Sequence, residues 1–401
     1  MQRHPSATTG FDTPDLHWEW IDTVPGMLRL GPTWDRMLSS WGVDCTFLRW
    51  DWIRTWLRVY GRGSRLMVGL LRSCDTVVGL VPLHIAYEKV TPIGPVLRSV
   101  RFLGDGSLCP DHLVLPVAAG YEGALARLLV EELRRREAGW DRVELRDLLE
   151  DHPAWKHVEA AAQAAGYLPS WRHRTRCPFM RLPESWDAYL AGMDKEDRKQ
   201  VNYRFRRVER QLGEVCVREP QSIGEVDAFM DRLEDLHAQS WNRRGRAGVF
   251  VEPAFRRFHR IHSRRAFRAR RLMLIALWAG TTELATALGF HRHDAAEGYQ
   301  FGYDPSLRAY GPGALMVMSA IRHAIENGLK EMDMLRGSGE YKYRLTHAER
   351  RGVDLVIGRG TLSDHSAALS RWARLRIGGA FRFALNRDKI ERVKRILHIR
   401  S

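Results

Sequence analysis

The order strand–turn–strand–strand–helix–strand occurs twice in this chain, and no other feature limits its possible folds so tightly. In the first half, 65–72 and 76–90 are β-rich runs flanking the polar turn Ser73-Cys74-Asp75. Residues 100–116 give another extended run, broken by a Gly-Asp-Gly loop. Next, 121–139 has apolar residues at helical spacing and stops at Gly139, and 141–148 alternates as a strand does. In the second half, 271–280 and 283–294 flank Thr281-Thr282, and 297–305 is the third strand. The helix is 314–328, and 330–337 is the strand after it. Leu315, Met318, Ile321 and Ile325 form one apolar stripe and Gly328 ends it, so the methionines of this helix belong to the core. No residue-level identity links the copies; the repetition is one of pattern. Between them, 185–215 reads as a long charged amphipathic helix or helix pair, and 226–250 as a helix running into a glycine-containing loop.

Composition narrows the class. A chain of 401 residues has material for two or three domains, and 44% hydrophobic with 28% charged residues is ordinary for a soluble globular protein. Cys45, Cys74, Cys109, Cys177 and Cys216 are scattered, odd in number and without a C-x-x-C pair. That argues against a disulfide framework or a zinc site and suits a reducing cytoplasm. The first sixteen residues lack an apolar signal core, and the most apolar run, 272–280, is too short to span a bilayer. The expected location is therefore cytoplasmic.

The net charge of +15 is unevenly placed. Residues 366–401 hold ten Arg or Lys against Asp388 and Glu391, and 255–271 carries eight arginines and no acid. Such segments attract nucleic acid, acidic lipid or phosphorylated substrates. The tail from 361 reads as a basic amphipathic helix, which suits a peripheral seat on an anionic membrane surface through 366–401. A solvated helix packed on its own domain explains the tail equally well.

Arg308 stands just upstream of Gly311-Pro312-Gly313, which opens the helix at 314. A helix N-terminus presents free N–H groups and the positive end of the helix dipole. Glycines there let a phosphate approach the backbone, and Pro312 stiffens the turn. The plain alternative is a strand-to-helix turn. Neither a Walker A loop nor a dinucleotide fingerprint is present.

At this turn the chain resembles a known family. The stretches "LHAQSWNRRGRAGVF" (236–250), "YQFGYDPSLRAYGPGALMVMSAIRHAIENGLKEMDMLRG" (299–337) and "EYKYRL" (340–345) resemble the CelD-like, cellulose-biosynthesis-associated branch of the GNAT acetyltransferases. These are related in fold to Fem-type peptidyl transferases, which use aminoacyl-tRNA. "VVGLVPL" (77–83) and "RFLGDG" (101–106) extend the likeness to the first half. The resemblance implies an α/β (α+β) fold of two tandem GNAT-like domains. Each would be a mixed, mostly antiparallel sheet flanked by helices, followed by a basic helical tail. The implied division is an N-terminal extension (1–40), a scaffold or acceptor-side domain (41–175), a donor-binding domain (176–360) and the tail (361–401). It also implies that Tyr310, Gly311, Pro312, Gly313, Ala314 and Leu315, with Arg308, cradle the pyrophosphate of acetyl-CoA or another acyl-CoA, without a metal. The first half has "LPVAAGYEGAL" at the corresponding turn and lacks the Gly-Pro-Gly.

Acyl transfer from a thioester needs a base or water chain, an oxyanion donor and a proton for the departing thiolate. Asp333 lies between Met332 and Met334 and faces away from them; catalysis competes with a salt bridge to Arg336 or an edge position. Tyr341, after a Gly-Ser-Gly loop, is placed to protonate the thiolate, and Lys342 to bind an anionic acceptor or a donor phosphate. His291 and His293 share a strand face, and either is a candidate general base, as is Glu297. Trp241, Arg244, Tyr299 and Arg336 complete the expected acceptor pocket. The resulting expectation is direct acyl transfer, in a ternary complex, to a sugar, polysaccharide or cell-envelope precursor. Two alternatives remain: an aminoacyl-tRNA-dependent peptidyl transferase, with tRNA as partner, and a non-catalytic membrane-surface adaptor.

Overall fold

The computed structural model describes residues 15–89, 96–243, 245–337, 340–346 and 348–359. Arg244 and the tail 361–401 therefore lie outside the described residues, as do the side chains of Glu340, Tyr341 and Arg344.

Among the described residues, twelve strands form one sheet. In chain order they are β1 (Leu16–Ile21), β2 (Arg65–Ser73), β3 (Thr76–Lys89), β4 (Val96–Phe102), β5 (Arg142–Leu149) and β6 (Leu168–Arg181). Then come β7 (Val215–Arg218), β8 (Leu272–Ala279), β9 (Thr282–His291), β10 (Ala295–Tyr303), β11 (Glu331–Asp333) and β12 (Ala348–Gly358). Their spatial order is β1-β2-β3-β4-β5-β12-β6-β11-β10-β9-β8-β7. Each half is an antiparallel meander of four strands followed by a parallel fifth, β4 with β5 and β10 with β11. A parallel neighbour requires a crossover, supplied by the helices Glu122–Arg135 and Pro312–Glu326.

The halves are joined by exchange. β12, from the end of the second half, pairs with β5 of the first; β6, from the end of the first, pairs with β11 of the second. β6 and β12 also pair with each other along their length. The boundary expected between 175 and 176 falls inside β6. Residues 16–40, expected as an extension, are an integral part of the fold. β1 is the sheet edge against β2, and the helices Val24–Arg29 and Gly31–Ser40 bury Met27, Trp34 and Leu38. Burying Trp34 and Leu38 on one stripe of a helix is what holds it to the sheet.

The sheet has two packed faces. On one, Leu274, Leu288 and Phe290 share a core with Val226, Met230 and Leu233 of the helix Ile223–Asn242 and with Phe255 and Phe258 of the helix Pro253–Arg268. That core continues into the first half through Trp52 and Phe47. On the other face, Met273, Ile275, Ala285 and Ala287 pack against Leu315, Met318, Ile321 and Ile325, the stripe expected for this helix. Val208 of the helix Lys195–Leu212 joins them.

Candidate active site

β10 and β11 pair over only three residues, 295–297 with 331–333, and then part. Two local features separate them. Tyr299 is an extra residue in β10, a bulge between Gly298 and Gln300 in the pairing with β9. On the other side, the Asp333 carboxylate accepts the Leu335 N–H at 2.8 Å, and Leu335 takes φ +49°. The chain therefore leaves the sheet after Asp333, and the strand expected over 330–337 is only Glu331–Asp333.

The gap opens a cavity of about 640 Å³. Its walls include Trp241 and Leu288 from one face of the sheet and Met316, Val317 and Ala320 from the other, so it passes through the sheet. Met273, Met332, Met334 and Phe301 give it apolar walls, with Gln300, Arg336 and Lys342 among its polar lining. Among the described residues that line it there is no carboxylate, histidine or thiol.

In the first half the equivalent gap is filled by the chain itself. Leu113 bonds to β5 through Asp147 O and the Leu149 N–H, while Pro116 and Ala118 bond to β3 at Leu80 and Val78. Among the described residues no such segment enters between β10 and β11.

On the helix Pro312–Glu326 side, Arg204 and Ala314 line a neighbouring space of about 390 Å³ that meets the cavity at Val317, and at this mouth Gly311 has φ +69°. The tip of the Arg204 guanidinium lies where a Cβ would stand; that flexible side chain can yield, so it is the positive φ that calls for glycine. Gly313 lies against Tyr303 and Phe301, at ordinary contact distance from where a Cβ would stand. Arg207 donates to Ala309 O at 3.1 Å and lies over the Tyr310 ring at 5.5 Å. Arg204 and Arg207 share one face of the helix Lys195–Leu212 and bring two cations to the Gly-Pro-Gly turn. Arg308 is exposed beside them, as is Ala314; Leu315 and Pro312 are buried. Sequence reading missed both helix arginines, because they lie about a hundred positions upstream of the turn.

Asp333 is fully buried, faces away from Met332 and Met334, and belongs to an ion-pair cluster. The salt bridge considered with Arg336 is not formed: Asp333 pairs with His112 Nε2 at 3.0 Å and Arg350 Nη1 at 2.9 Å. Burial opposes ionisation of Asp333, but the His112 hydrogen bond and charge outweigh it and hold its pKa below the usual range. His112 is raised in turn: burial disfavours its charge, and Asp333 more than restores it. Arg336 is taken by Asp111 and Asp147, at 2.7 and 2.6 Å. Two adjacent residues of the first half, Asp111 and His112, thus clamp the end of β11 and fix the width of the gap.

Lys342 lines the cavity, yet its ammonium donates to the carbonyls of Met334, Leu335 and Arg336, at 2.6, 3.2 and 2.8 Å. Its three donors are occupied by backbone, and burial lowers its pKa. Tyr299 also lines the cavity, with its hydroxyl donating to Leu108 O at 2.6 Å. Arg246, exposed at the rim and absent from the sequence-based candidates, has no carboxylate partner among the described residues. Tyr341 falls in the short helix Glu340–Leu345.

Glu297 sits next to Gly298 of the cavity but lines a separate space of about 400 Å³, shared with His112, Cys45, Arg292 and Arg350. Burial pushes its pKa up to about 7, against the pull of Arg292, whose Nε is 2.8 Å from Oε1. The Thr46 hydroxyl also faces this carboxylate and pulls the same way as Arg292. His291 ends β9, away from the cavity, and burial lowers its pKa. His293 is not on the strand with it, because β9 stops at His291 and the chain turns to reach Ala295. The shared histidine face therefore does not exist.

Residues 195–343 match the sequence profile of the acetyltransferase (GNAT) domain family. No curated protein sequence matches the chain. Among solved structures, a conserved protein of unknown function from Bacteroides thetaiotaomicron is similar at 11% identity and a TM-score of 0.53, over 86% of this chain and 100% of that one. FemX is similar at 11% identity and a TM-score of 0.53, over 84% of this chain and 96% of that one. At such identity the likeness is one of fold, and it extends over both halves. The matched segment contains the gap, the bulge, the glycine turn and both helix arginines. Residues 195–343 are thus a GNAT acetyltransferase domain, and the chain that carries it is an acyltransferase.

Proposed function

We propose that the protein transfers an acyl group from acyl-coenzyme A to an amine or hydroxyl of a polar acceptor, such as a sugar or an envelope precursor, by direct attack. The observation that supports this most is the through-sheet gap with the glycine turn, Arg204 and Arg207 at one mouth. A pyrophosphate at that mouth meets the start of a helix and two guanidiniums. The pantetheine arm follows the apolar walls, and the backbone edge of β10 beyond Glu297 is open to its amides. The acceptor approaches from the Trp241 and Arg246 side. Its nucleophile attacks the thioester carbonyl, and the thiolate leaves with a proton for which Tyr341 is the candidate donor. Asp333, Arg336 and Lys342 act by holding the end of β11. In this reading the first half, its own gap filled, serves as scaffold, and the donor domain is the second half.

Titration calorimetry with coenzyme A and acetyl-CoA tests the reading, with Gly313→Trp as the control that fills the mouth. Binding near one equivalent, lost in the variant, is expected. No heat with any acyl-CoA, together with retention of bulk tRNA on filters, would turn the reading towards aminoacyl-tRNA as donor.

A further inference from the structure

The arginine-rich segment at 255–271 takes no part in the donor site. It forms the helix Pro253–Arg268, packed against the helix Trp50–Val59 of the first half, with a cleft of about 500 Å³ between them. Five arginines line that cleft: Arg54 and Arg58 from one helix, Arg264, Arg265 and Arg268 from the other. It shares no lining residue with the through-sheet cavity.

The charges there are not balanced by the protein. Arg264 is paired with Asp227, whose carboxylate accepts from its Nε at 2.7 Å. Arg265 reaches only a neutral partner, the Thr55 hydroxyl, at 2.8 Å. Among the described residues no carboxylate lies within ion-pair range of Arg54, Arg58, Arg265 or Arg268. Asp51, the one acid on the wall, is held by Arg271 at 2.8 Å. Two like-charge pairs at i,i+4, Arg54 with Arg58 and Arg264 with Arg268, add mutual repulsion. Arg265 registers the result: burial first, then Arg54 and Arg58, lower its pKa. A protein gains no stability from such an arrangement, whereas a concave site needs it to hold dense negative charge. Guanidiniums match phosphate oxygens two at a time, so four of them lining one cleft suit a ligand with more than one phosphate.

We propose that the cleft between the helices Trp50–Val59 and Pro253–Arg268 is a binding site for a diphosphate group or two adjacent phosphates, separate from the donor's pyrophosphate site. The group comes either from a soluble molecule or from a lipid headgroup, and the experiment separates the two.

With the donor site saturated by coenzyme A, inorganic pyrophosphate is titrated into the full chain at physiological salt, with inorganic phosphate as comparison. One equivalent of pyrophosphate should bind at least about tenfold tighter than phosphate, and the Arg58→Gln/Arg268→Gln variant should lose that margin. The same variant should unfold at an unchanged or higher temperature, because repulsion is removed; a lower midpoint would mean that the arginines hold the fold together. Flotation with vesicles carrying a bisphosphorylated inositol lipid or phosphatidylserine gives the other arm. Binding of the bisphosphorylated vesicles without binding of pyrophosphate supports the lipid source. Binding of neither, equal binding to phosphatidylserine, or affinity unchanged in the variant overturns the proposal. Pyrophosphate-displaceable binding of bulk RNA that is tighter than that of pyrophosphate overturns it in favour of a nucleic-acid surface.

Discussion

Glu297 shows how one buried side chain sets the chemistry open to a site. The through-sheet cavity has no carboxylate, histidine or thiol among its described lining residues, and burial pushes the pKa of this carboxylate, beside it in sequence, up to about 7. If it accepts the proton of the attacking group, kcat/KM rises as pH increases through about 7 and levels off above, where the carboxylate is ionised. Glu297→Gln should then lower the rate on the order of 100-fold or more and erase that limb of the profile. A variant with the parental profile would remove Glu297 from the chemistry. Arg204 makes a different prediction. Its guanidinium has no carboxylate partner among the described residues and lies against Gly311. Arg204→Ala should weaken coenzyme A and dephospho-coenzyme A alike, each about tenfold, the worth of one or two charge-assisted hydrogen bonds, while pantetheine, which lacks the pyrophosphate, binds both forms equally. The glycine turn was legible in sequence because its chemistry is local. Arg204 was not, because its partner lies more than a hundred positions downstream and nothing in a charged helix marks one arginine from its neighbours.

Elements were legible where periodicity is strong and illegible where one side chain redirects the backbone. The helix Pro312–Glu326 and its stripe followed from spacing alone. The strand expected over 330–337 failed because Asp333 captures the Leu335 N–H, a turn that alternation of Met332, Asp333 and Met334 does not reveal. The bulge at Tyr299 left no mark in an otherwise regular run. Packing between helices carries its own signature. His259 and His262 of the helix Pro253–Arg268 are buried among Trp52, Phe258 and Phe290, and His262 also faces Asp51. Burial holds both pKa values below the usual range, His259 far below. Both imidazoles are neutral in the fold, while in the unfolded chain they take up protons below about pH 6.5. Protons therefore bind the unfolded state preferentially, and stability is full above about pH 6.5 and falls as pH drops towards the folded values. The contribution of these two histidines to the denaturation midpoint should fall from pH 7.5 to 5, against the opposite contribution of Glu297 and His112, whose pKa values are raised. His259→Phe/His262→Phe should therefore raise the midpoint at pH 5 relative to that at pH 7.5. An unchanged slope would place the acid sensitivity elsewhere.

At the scale of the whole molecule, the duplicated pattern predicted two tandem units, each with a mixed, mostly antiparallel sheet flanked by helices, and among the described residues the two are joined into one twelve-stranded sheet. Pattern counts elements but not neighbours; pairing of β12 with β5 and of β6 with β11 depends on which edge is left open, which no local signal reports. Because each half contains a strand from the other, heat should unfold the protein in a single transition followed alike by tryptophan fluorescence and far-ultraviolet circular dichroism. Two resolved transitions would show that the halves are independent. The long tail and its membrane role remain an expectation from sequence, and no helix among the described residues is long and apolar enough to cross a membrane.

The same exchange governs the order in which the protein is born. β5 ends at Leu149, and the strand that covers its edge begins at Ala348. At about 5–20 residues per second, a ribosome leaves that edge bare for roughly 10–40 seconds. The first half thus emerges with an open ladder, the kind of edge that recruits other strands, and waits for its own C-terminus. Slow codons or a nascent-chain chaperone acting between these two strands would decide how much of the enzyme reaches its native pairing.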